Sequence, residues 1–265
     1  MKIFILGAGN MGRWFAEELN HNNEVGIYDT DIIKLKHLFN VQRFKSLDEI
    51  VHFKPEMVLN CVSLNKTIEV FESIKGFISE NTILSDITSV KYGLEKYYKD
   101  NHYRYVSTHP MFGPTFANIN DLKSQNAVII KESDYEGKEF FRDFYESLNL
   151  NIFEYSFDHH DKTMAYSLAT PFVSTLVFGG CLKEKTVPGT TFKKHMHIAT
   201  NLLKEDDYLL SEILFNPYTV DQITKIGEQL TSLTQIIKNR DFLSMKEYLD
   251  HVRTKINSNN NLPTP

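Results

Sequence analysis

The first half of the chain alternates short apolar runs with longer amphipathic runs. Helical periodicity is visible in several of the longer ones, such as Gly12–Leu19 and Ile32–Phe39. Strand–helix alternation at this spacing predicts a mostly parallel sheet with helices on both faces. The apolar runs predict strands at Lys2–Leu6, Glu24–Tyr28, Met57–Val62, Thr82–Asp86, Tyr103–Thr108, Ala127–Lys131 and Asn151–Tyr155.

The pattern changes near Asp158, and from there the chain is helical in character. Long runs such as Lys162–Cys181 and Val220–Arg240 follow, with Asp158 predicted as the N-cap of the first helix. The last residues are rich in Asn and Pro and have few apolar groups to pack. The pattern therefore predicts an α/β domain over 1–157, a helical domain over 158–256 and a flexible tail over 257–265.

Composition and charge narrow the possible partners. Apolar residues make up 42% of the chain and charged residues 24%, which is ordinary for a protein with a packed core. The net charge of −5 disfavours broad attraction to nucleic acid or to an anionic membrane. A small anionic substrate would need a local basic cluster. No apolar run reaches the roughly 18 residues of a membrane span, and no metal site is predicted.

The two cysteines bear on the compartment. Cys61 and Cys181 both lie in apolar runs, and we interpret them as buried, reduced thiols. The apolar segment Met1–Leu6 reaches a glycine too early for a secretory signal. Together these features predict a cytoplasmic protein.

A glycine-rich segment follows the first predicted strand. Its sequence, Gly7-Ala8-Gly9-Asn10-Met11-Gly12, fits G-x-G-x-x-G between a strand and a helix, the context that this motif requires. Gly7 allows the tight turn, Gly9 lets the backbone approach a pyrophosphate, and Gly12 permits close helix–strand packing. The helix N-terminus, including Asn10 and Met11, offers N–H groups to the phosphates. The segment predicts a dinucleotide site.

Two further residues extend this predicted site. Asp29 ends the second strand, 17 residues beyond Gly12, where a carboxylate accepts hydrogen bonds from the adenosine ribose. It would also repel the extra phosphate of NADP, so NAD is the predicted cofactor; the alternative is a solvated aspartate beside an ordinary glycine turn. Ser63 follows the third predicted strand and is either a cofactor contact or a loop serine.

Candidate chemistry lies in two segments that follow later strands. His109 comes after a strand and opens a segment braced by Pro110, Gly113 and Pro114. It is a candidate for accepting a proton, or else a loop histidine. Ser89 leaves the preceding strand and could bind a substrate hydroxyl, or cap the helix predicted to begin near Lys91.

These segments resemble a known family. The sequence T-H-P-M-F-G-P at Thr108–Pro114 is similar to the catalytic-histidine segment of prephenate and arogenate dehydrogenases. D-I-T-S-V-K at Asp86–Lys91 resembles their D-x-x-S-V-K segment, and His160-Asp161 resembles the pair that begins their helical domain. The resemblance implies an α/β fold with an N-terminal Rossmann-type doubly wound sheet, an all-α dimerisation domain and a homodimer.

The resemblance also implies a reaction. His109 would be the catalytic acceptor of the ring hydroxyl proton and Ser89 would orient that hydroxyl, while hydride passes to NAD and the ring carboxylate leaves as carbon dioxide. The expected function is oxidative decarboxylation of prephenate to 4-hydroxyphenylpyruvate in tyrosine biosynthesis. The alternative substrate is arogenate, which would give tyrosine.

The chain departs from the family where an arginine binds substrate. The corresponding stretch holds Lys193 and Lys194 instead, which either bind a substrate carboxylate or form a solvated helix face. Thr115, next to the histidine segment, is a third candidate for substrate binding.

Two other classes of protein share part of this pattern. An imine reductase or hydroxyacid dehydrogenase also combines G-x-G-x-x-G with a helical domain, but leaves the segment at His109 without a role. A protein that binds NAD without catalysis would show binding and no turnover.

Overall fold

Eight strands form a single sheet in the computed structural model, which describes residues 1–113, 122–183 and 187–260. Every strand in this described part lies in the first 155 residues. The strands are β1 (Lys2–Leu6), β2 (Glu24–Tyr28), β3 (Gln42–Arg43), β4 (Met57–Asn60), β5 (Ile83–Asp86), β6 (Tyr105–Pro110), β7 (Asn126–Ile130) and β8 (Asn151–Tyr155).

The helices fall into two groups along the chain. Those interspersed with the strands are α1 (Asn10–Leu19), α2 (Ile50–Phe53), α3 (Leu64–Ile74), α4 (Leu94–Asn101) and α5 (Tyr135–Ser147). Those that follow the sheet are α6 (Phe157–Met164), α7 (Thr170–Gly180), α8 (Thr190–Leu202), α9 (Asp207–Leu214), α10 (Thr219–Asn239) and α11 (Phe242–Asn260).

The strand order creates a crevice where a ligand can bind. The order across the sheet is β3-β2-β1-β4-β5-β6-β7-β8. Strands β1 to β6 pair in parallel, and β7 is antiparallel to β6. The order reverses between β1 and β4, so the chain leaves the carboxyl ends of these neighbours toward opposite faces. Ligands in doubly wound sheets bind at such a switch point.

The two faces of the sheet carry separate apolar cores because side chains alternate along a strand. In β1, Ile3 and Ile5 enter the core that includes α1 and α5, whereas Phe4 and Leu6 enter the core that includes α2, α3 and α4. All four are almost completely buried. Burial on both faces explains why β1 is a continuous apolar run and does not alternate with polar residues.

The predicted fold class is confirmed: a Rossmann-type doubly wound sheet is followed by an all-α region. The division into domains at 157 and 256 stays a prediction. No helix in the described ranges is both long and apolar enough to span a bilayer. Cys181 is exposed and Cys61 is partly buried, so the expectation that both thiols are buried is wrong. The cytoplasmic location stays a prediction.

Several predicted elements differ from the structure near their ends. The expected helix over Ile32–Phe39 is only a 3₁₀ turn at Ile32–Leu35, which the Asp31 side chain caps by accepting from the Ile33 amide. Ser156, and not Asp158, is the N-cap of α6. Asp158 instead lies in the first turn, where it pairs with Lys162.

Two further differences concern the second half. The long run that begins at Lys162 is not one regular helix, since a π-helical segment at Ala165–Ala169 precedes α7. Pro171 lies just beyond this segment and has no N–H to donate, which disturbs the regular ladder there. Residues 257–260 continue α11 where a flexible tail was expected, and the remainder of that tail lies outside the described residues.

Candidate active site

The glycine-rich loop has the geometry that a phosphate site requires. Gly7 has φ +96°, in the left-handed region that favours glycine. A Cβ on Gly12 would lie 1.9 Å from the Gly7 carbonyl oxygen, so the close approach of α1 to β1 excludes any side chain. A Cβ on Gly9 would meet nothing within 4 Å, and the first N–H groups of α1 receive no side-chain cap from any described residue. The loop therefore fits a pyrophosphate.

Asp29 lies beside this loop. Its carboxylate accepts the Ala8 N–H at 2.7 Å and the Asp31 N–H at 2.8 Å. These bonds hold it at the carboxyl end of β2, next to the glycine turn, as the sequence predicted. Two basic residues near Asp29 were not predicted from the sequence. Lys34 Nζ lies 3.8 Å from Asp29. Arg13 Nε donates to the Ala8 carbonyl oxygen at 3.0 Å, which brings a positive charge to the loop.

A cavity of about 440 Å³ lies at the switch point and brings half of the predicted site residues together. Its walls come from the glycine loop, the segments after β4, β5 and β6, and the helical region. The predicted residues that line it are Gly9, Asn10, Met11, Ser63, Ser89 and His109. Both predicted catalytic residues and four of the seven predicted cofactor residues thus face one space, whereas Gly7, Gly12 and Asp29 do not line it.

His109 belongs to a strand and not to a loop after it. Strand β6 continues through His109 and Pro110 because its end pairs with the antiparallel strand β7. The expectation that the strand ends at Thr108 is therefore wrong. Phe112, three residues on, packs edge-to-face against Trp14 of α1 at 5.2 Å, which anchors the following segment. His109 is 4% exposed, so its position is held from several sides.

The histidine–aspartate pair to which the resemblance drew attention, His160-Asp161, lies next to His109. His160, on α6, places its Nε2 2.9 Å from Nδ1 of His109. Its own Nδ1 lies 2.8 Å from the Asp161 carboxylate. Burial, together with the nearby charge on Lys91, lowers the pKa of both histidines well below the usual 6.5. Both rings are therefore neutral near pH 7, as a proton acceptor must be.

A buried ion pair supports the strand end that carries His109. Lys91 Nζ lies 2.7 Å from Asp86 and 2.7 Å from the Thr108 carbonyl oxygen, and the side chains of Lys91 and Asp86 are both fully buried. Tyr98 donates to the other oxygen of Asp86 at 2.8 Å. Burial alone would raise the pKa of Asp86, but the charge and hydrogen bond of Lys91 outweigh this and lower it. This role of Lys91 was not predicted from the sequence.

Ser89 lies on the cavity wall, half-buried, in the segment between β5 and α4. It does not cap the next helix, since Gly93 is the N-cap of α4. The capping alternative is therefore wrong. Thr88 is instead turned into the sheet, where its N–H and hydroxyl both donate to Asp86. Both Thr88 and Ser89 line the cavity, but the Thr88 hydroxyl already donates to Asp86.

The wall opposite the sheet comes from the helical region and is apolar with an acidic edge. Leu168 and Phe172 line it from the π-helical segment and α7, and Leu209, Leu210 and Ile213 line it from α9. Three acidic residues, Glu205, Asp206 and Glu212, complete this side. Among the described lining residues there is no lysine or arginine. A carboxylate on a substrate thus finds no basic partner in the described walls.

Of the three predicted substrate residues, the two that the structure describes do not line this cavity. Lys193 and Lys194 lie on α8 with exposed side chains and do not line it. Thr115 falls outside the described residues, as does Pro114 of the same segment. The role of all three in substrate binding stays a prediction.

The fold and the cavity define a nucleotide-binding α/β protein with a buried histidine at its ligand site. Residues 23–151 match the sequence model described as "Prephenate dehydrogenase, nucleotide-binding domain". Together with the motifs at Ser89 and His109, this match supports the prephenate/arogenate dehydrogenase family, to which the nucleotide-binding part of the chain is similar.

Relatives and solved structures carry both names of the family. "Probable arogenate/prephenate dehydrogenase" of Methanocaldococcus jannaschii is 25% identical over 89% of this chain and 56% of its own length. "Arogenate dehydrogenase 1, chloroplastic" of Arabidopsis thaliana is 22% identical over 88% of this chain and 38% of its own length. The chain thus spans about half the length, or less, of these relatives. Prephenate dehydrogenase of Aquifex aeolicus, solved with hydroxyphenyl propionate and NAD⁺, matches 97% of this chain and 98% of its own at 20% identity, with a TM-score of 0.82.

Proposed function

We propose that this chain is an NAD-dependent dehydrogenase that converts prephenate to 4-hydroxyphenylpyruvate and carbon dioxide, in tyrosine biosynthesis. The observation that carries the proposal is the single cavity that joins the glycine loop at Gly9 to Ser89 and the neutral His109. A dehydrogenase needs a dinucleotide and a proton acceptor at one site. The family name and the ligands of the Aquifex aeolicus enzyme agree with it.

The residues present fit NAD. Gly7, Gly9 and Gly12 shape the loop for the pyrophosphate, and Asp29 is held where it can accept from the adenosine ribose. NAD, when bound, supplies the acceptor for the hydride that leaves the alcohol carbon of the substrate. We propose NAD in preference to NADP because the Asp29 carboxylate repels a 2′-phosphate.

The protein side of the reaction rests on His109 and Ser89. As the C–H hydride leaves, His109 accepts the hydroxyl proton and Ser89 orients the oxygen by a hydrogen bond. Loss of the ring carboxylate as carbon dioxide then makes the ring aromatic and leaves a phenolate oxygen. His109 returns the proton to this oxygen, so the step releases no net proton. The apolar wall at Leu168, Phe172 and Leu209 excludes water from the reacting ring.

Arogenate is a second candidate substrate, and the acidic edge of the cavity favours it. Both substrates carry two carboxylates. They differ in the side chain, where arogenate has an ammonium group in place of the ketone of prephenate. Glu205, Asp206 and Glu212 line the cavity. The ammonium group of arogenate would be attracted to these acidic residues, whereas the prephenate side chain has no positive charge to offset its carboxylate. Lys193 and Lys194 remain the proposed partners of a substrate carboxylate, and would have to approach the cavity to act.

We also propose that the helical region forms a homodimer. Helix α10 has 21 residues, of which only Thr219 is buried, and α7 has no buried residue. Apolar side chains of both helices are exposed in a single chain: Val177 of α7 is 55% exposed, and Leu230 and Ile237 of α10 are 59% and 58% exposed. Contiguous apolar surface of this kind is usually covered by a partner. A second copy of the chain, placed against α7 and α10, would cover it.

A spectrophotometric assay at 340 nm tests the function directly. The full chain is supplied with prephenate or arogenate and with NAD or NADP, and kcat/KM is measured for the four pairs. The expected result is reduction of NAD with prephenate, or with arogenate if the acidic edge decides the choice. Binding of NAD without turnover of either substrate would instead identify a non-catalytic nucleotide-binding protein.

A further inference from the structure

A continuous chain of hydrogen bonds runs from the cavity into the helical region. His109 Nδ1 meets His160 Nε2 at 2.9 Å, and His160 Nδ1 meets Asp161 Oδ1 at 2.8 Å. The Lys91 backbone N–H closes the chain by donating to the same Asp161 oxygen at 2.8 Å. His109, His160 and Asp161 are 4%, 0% and 5% exposed, so water does not compete strongly for these groups.

The direction of every bond in this chain follows from its last member. A backbone N–H can only donate, so Asp161 Oδ1 is an acceptor. Since His160 Nδ1 contacts that same oxygen, Nδ1 must carry the hydrogen. A neutral imidazole has one N–H, which makes His160 Nε2 an acceptor and His109 Nδ1 the donor to it. His109 Nε2 is then the nitrogen with the lone pair.

The charges around the pair keep this arrangement neutral. Burial lowers the pKa of His109, and the neighbouring His160 and the Lys91 cation lower it further against the attraction of Asp86. The pKa of His160 is lowered by burial, Lys91 and His159, again against Asp86. Burial raises the pKa of Asp161 to about 6, which leaves it mainly ionised at pH 7.5. Neither ring therefore carries a second N–H that would reverse the direction.

We propose that His160 and Asp161 are positioning residues that hold His109 in its Nδ1–H tautomer, leaving Nε2 as the proton acceptor at the cavity. The acceptor role rests on the function proposed above, whereas the tautomer does not. Without these partners His109 would exchange between two tautomers, and in one of them Nε2 would carry a hydrogen and could not accept. The arrangement joins the helical region to the reacting end of the sheet.

Nitrogen NMR measures the tautomers without any substrate. The full chain is labelled with ¹⁵N-histidine, and two-bond ring correlations are recorded at pH 7.5, with His109→Asn and His160→Gln used to assign the signals. Both His109 and His160 should show the Nδ1–H form. An Nε2–H form for His109 would overturn the proposal, whether or not the enzyme turns over.

A matched pair of substitutions tests the effect on catalysis. In His160→Gln the amide oxygen can accept from His109 while the amide nitrogen donates to Asp161, whereas His160→Leu fills similar space with no polar atom. His160→Leu should lower kcat by roughly 10²-fold, at the low end for loss of a general base, with KM and NAD affinity unchanged. His160→Gln should recover most of that loss.

The outcomes separate this proposal from the proposed function. Unchanged kcat in His160→Leu, or an equal loss of kcat in both variants with the tautomer of His109 unaltered, would overturn the positioning role. If His160→Leu does not fold, the tautomers of the unmodified chain still decide. Absence of turnover with both substrates, alongside Nδ1–H signals for both histidines, would remove the proposed function and support the tautomer assignment.

Discussion

Single residues decide which cofactor and which substrate this site can take. Asp29 is the clearest case, because its two oxygens are already fixed by the Ala8 and Asp31 amides and cannot swing away from a 2′-phosphate. Lys34 lies 3.8 Å from it, however, and offsets part of the repulsion. We therefore propose that Asp29 and Lys34 set the cofactor preference jointly, which the sequence alone did not suggest.

Replacing Asp29 should change this preference. We expect Asp29→Ser to raise kcat/KM with NADP relative to NAD, since the carboxylate charge is removed while Lys34 remains to bind a phosphate. Lys34→Ala is the matched control and should shift the preference further toward NAD. The measurement is kcat/KM with both cofactors for all three proteins. Equal use of NADP by the unmodified chain would contradict the role of Asp29.

The substrate carboxylate gives a second prediction at this scale. If Lys193 or Lys194 binds it, truncation of that lysine to alanine should weaken substrate binding by about 1.5–3 kcal/mol, the usual range for a hydrogen bond to a charged group. The readout is KM for prephenate, compared with Lys204→Ala, another exposed lysine of the helical region. An unchanged KM in both single variants and in the double variant would exclude these two lysines.

Strands and helices position these residues. The sequence predicted the bounds of some strands correctly but not those of β3 and β6. Strands β1, β2 and β8 match their predicted bounds. Burial explains the apolar runs of β1 and β2, whereas β8 is an edge strand whose residues are all half-buried. Strand β3 has only two residues, both exposed, so no hydrophobic pattern marks it. Strand β6 extends through His109 because β7 pairs with it, and this long-range contact has no local signature.

In the candidate site, too, features that follow from a local motif were predictable and long-range contacts were not. The glycine loop and Asp29 follow a local motif and were predictable from it. The contact between His109 and His160 spans 51 residues of sequence, and that between Lys91 and Asp161 spans 70. Only folding brings these groups together. The resemblance drew attention to His160 and Asp161, but the direction of their hydrogen bonds required the structure.

Strand β6 depends on the buried ion pair beneath it, which gives a prediction about stability. Lys91→Met removes the cation and leaves Asp86 charged and buried, which should lower the free energy of unfolding by about 3–5 kcal/mol. Lys96→Met is the control, because Lys96 pairs with Asp100 on the exposed face of α4 and its loss should hardly matter. Urea denaturation compares the two. Equal effects would show that the buried pair contributes no more than a surface pair.

At the scale of the whole molecule, the apolar surface of α7 and α10 predicts a homodimer. Light scattering at micromolar concentration should give twice the 30.8 kDa mass of one chain. Leu230→Glu combined with Ile237→Glu places two charges in the proposed interface and should produce monomers. Ile33→Glu is the control, since Ile33 is 62% exposed on the sheet domain. A monomeric unmodified chain would rule out the interface.

In the proposed reaction, His109 accepts a proton from the substrate hydroxyl. His109→Asn keeps a hydrogen-bonding side chain of similar size but cannot accept the proton. Because burial lowers the pKa of His109, activity of the unmodified enzyme should fall only as the pH drops below 6.5, when the base becomes protonated. NAD affinity should be unaffected, since its proposed contacts lie at the glycine loop and Asp29.

The most direct measurement is the pH profile of kcat at 340 nm for the unmodified chain and for His109→Asn, with prephenate and with arogenate. We predict turnover of at least one substrate by the unmodified chain. We also predict a loss of about 10²–10⁴-fold in kcat for His109→Asn and the disappearance of the acidic limb. A variant that retains near-normal kcat, or that keeps the same acidic limb, would contradict the account and assign the proton to another group.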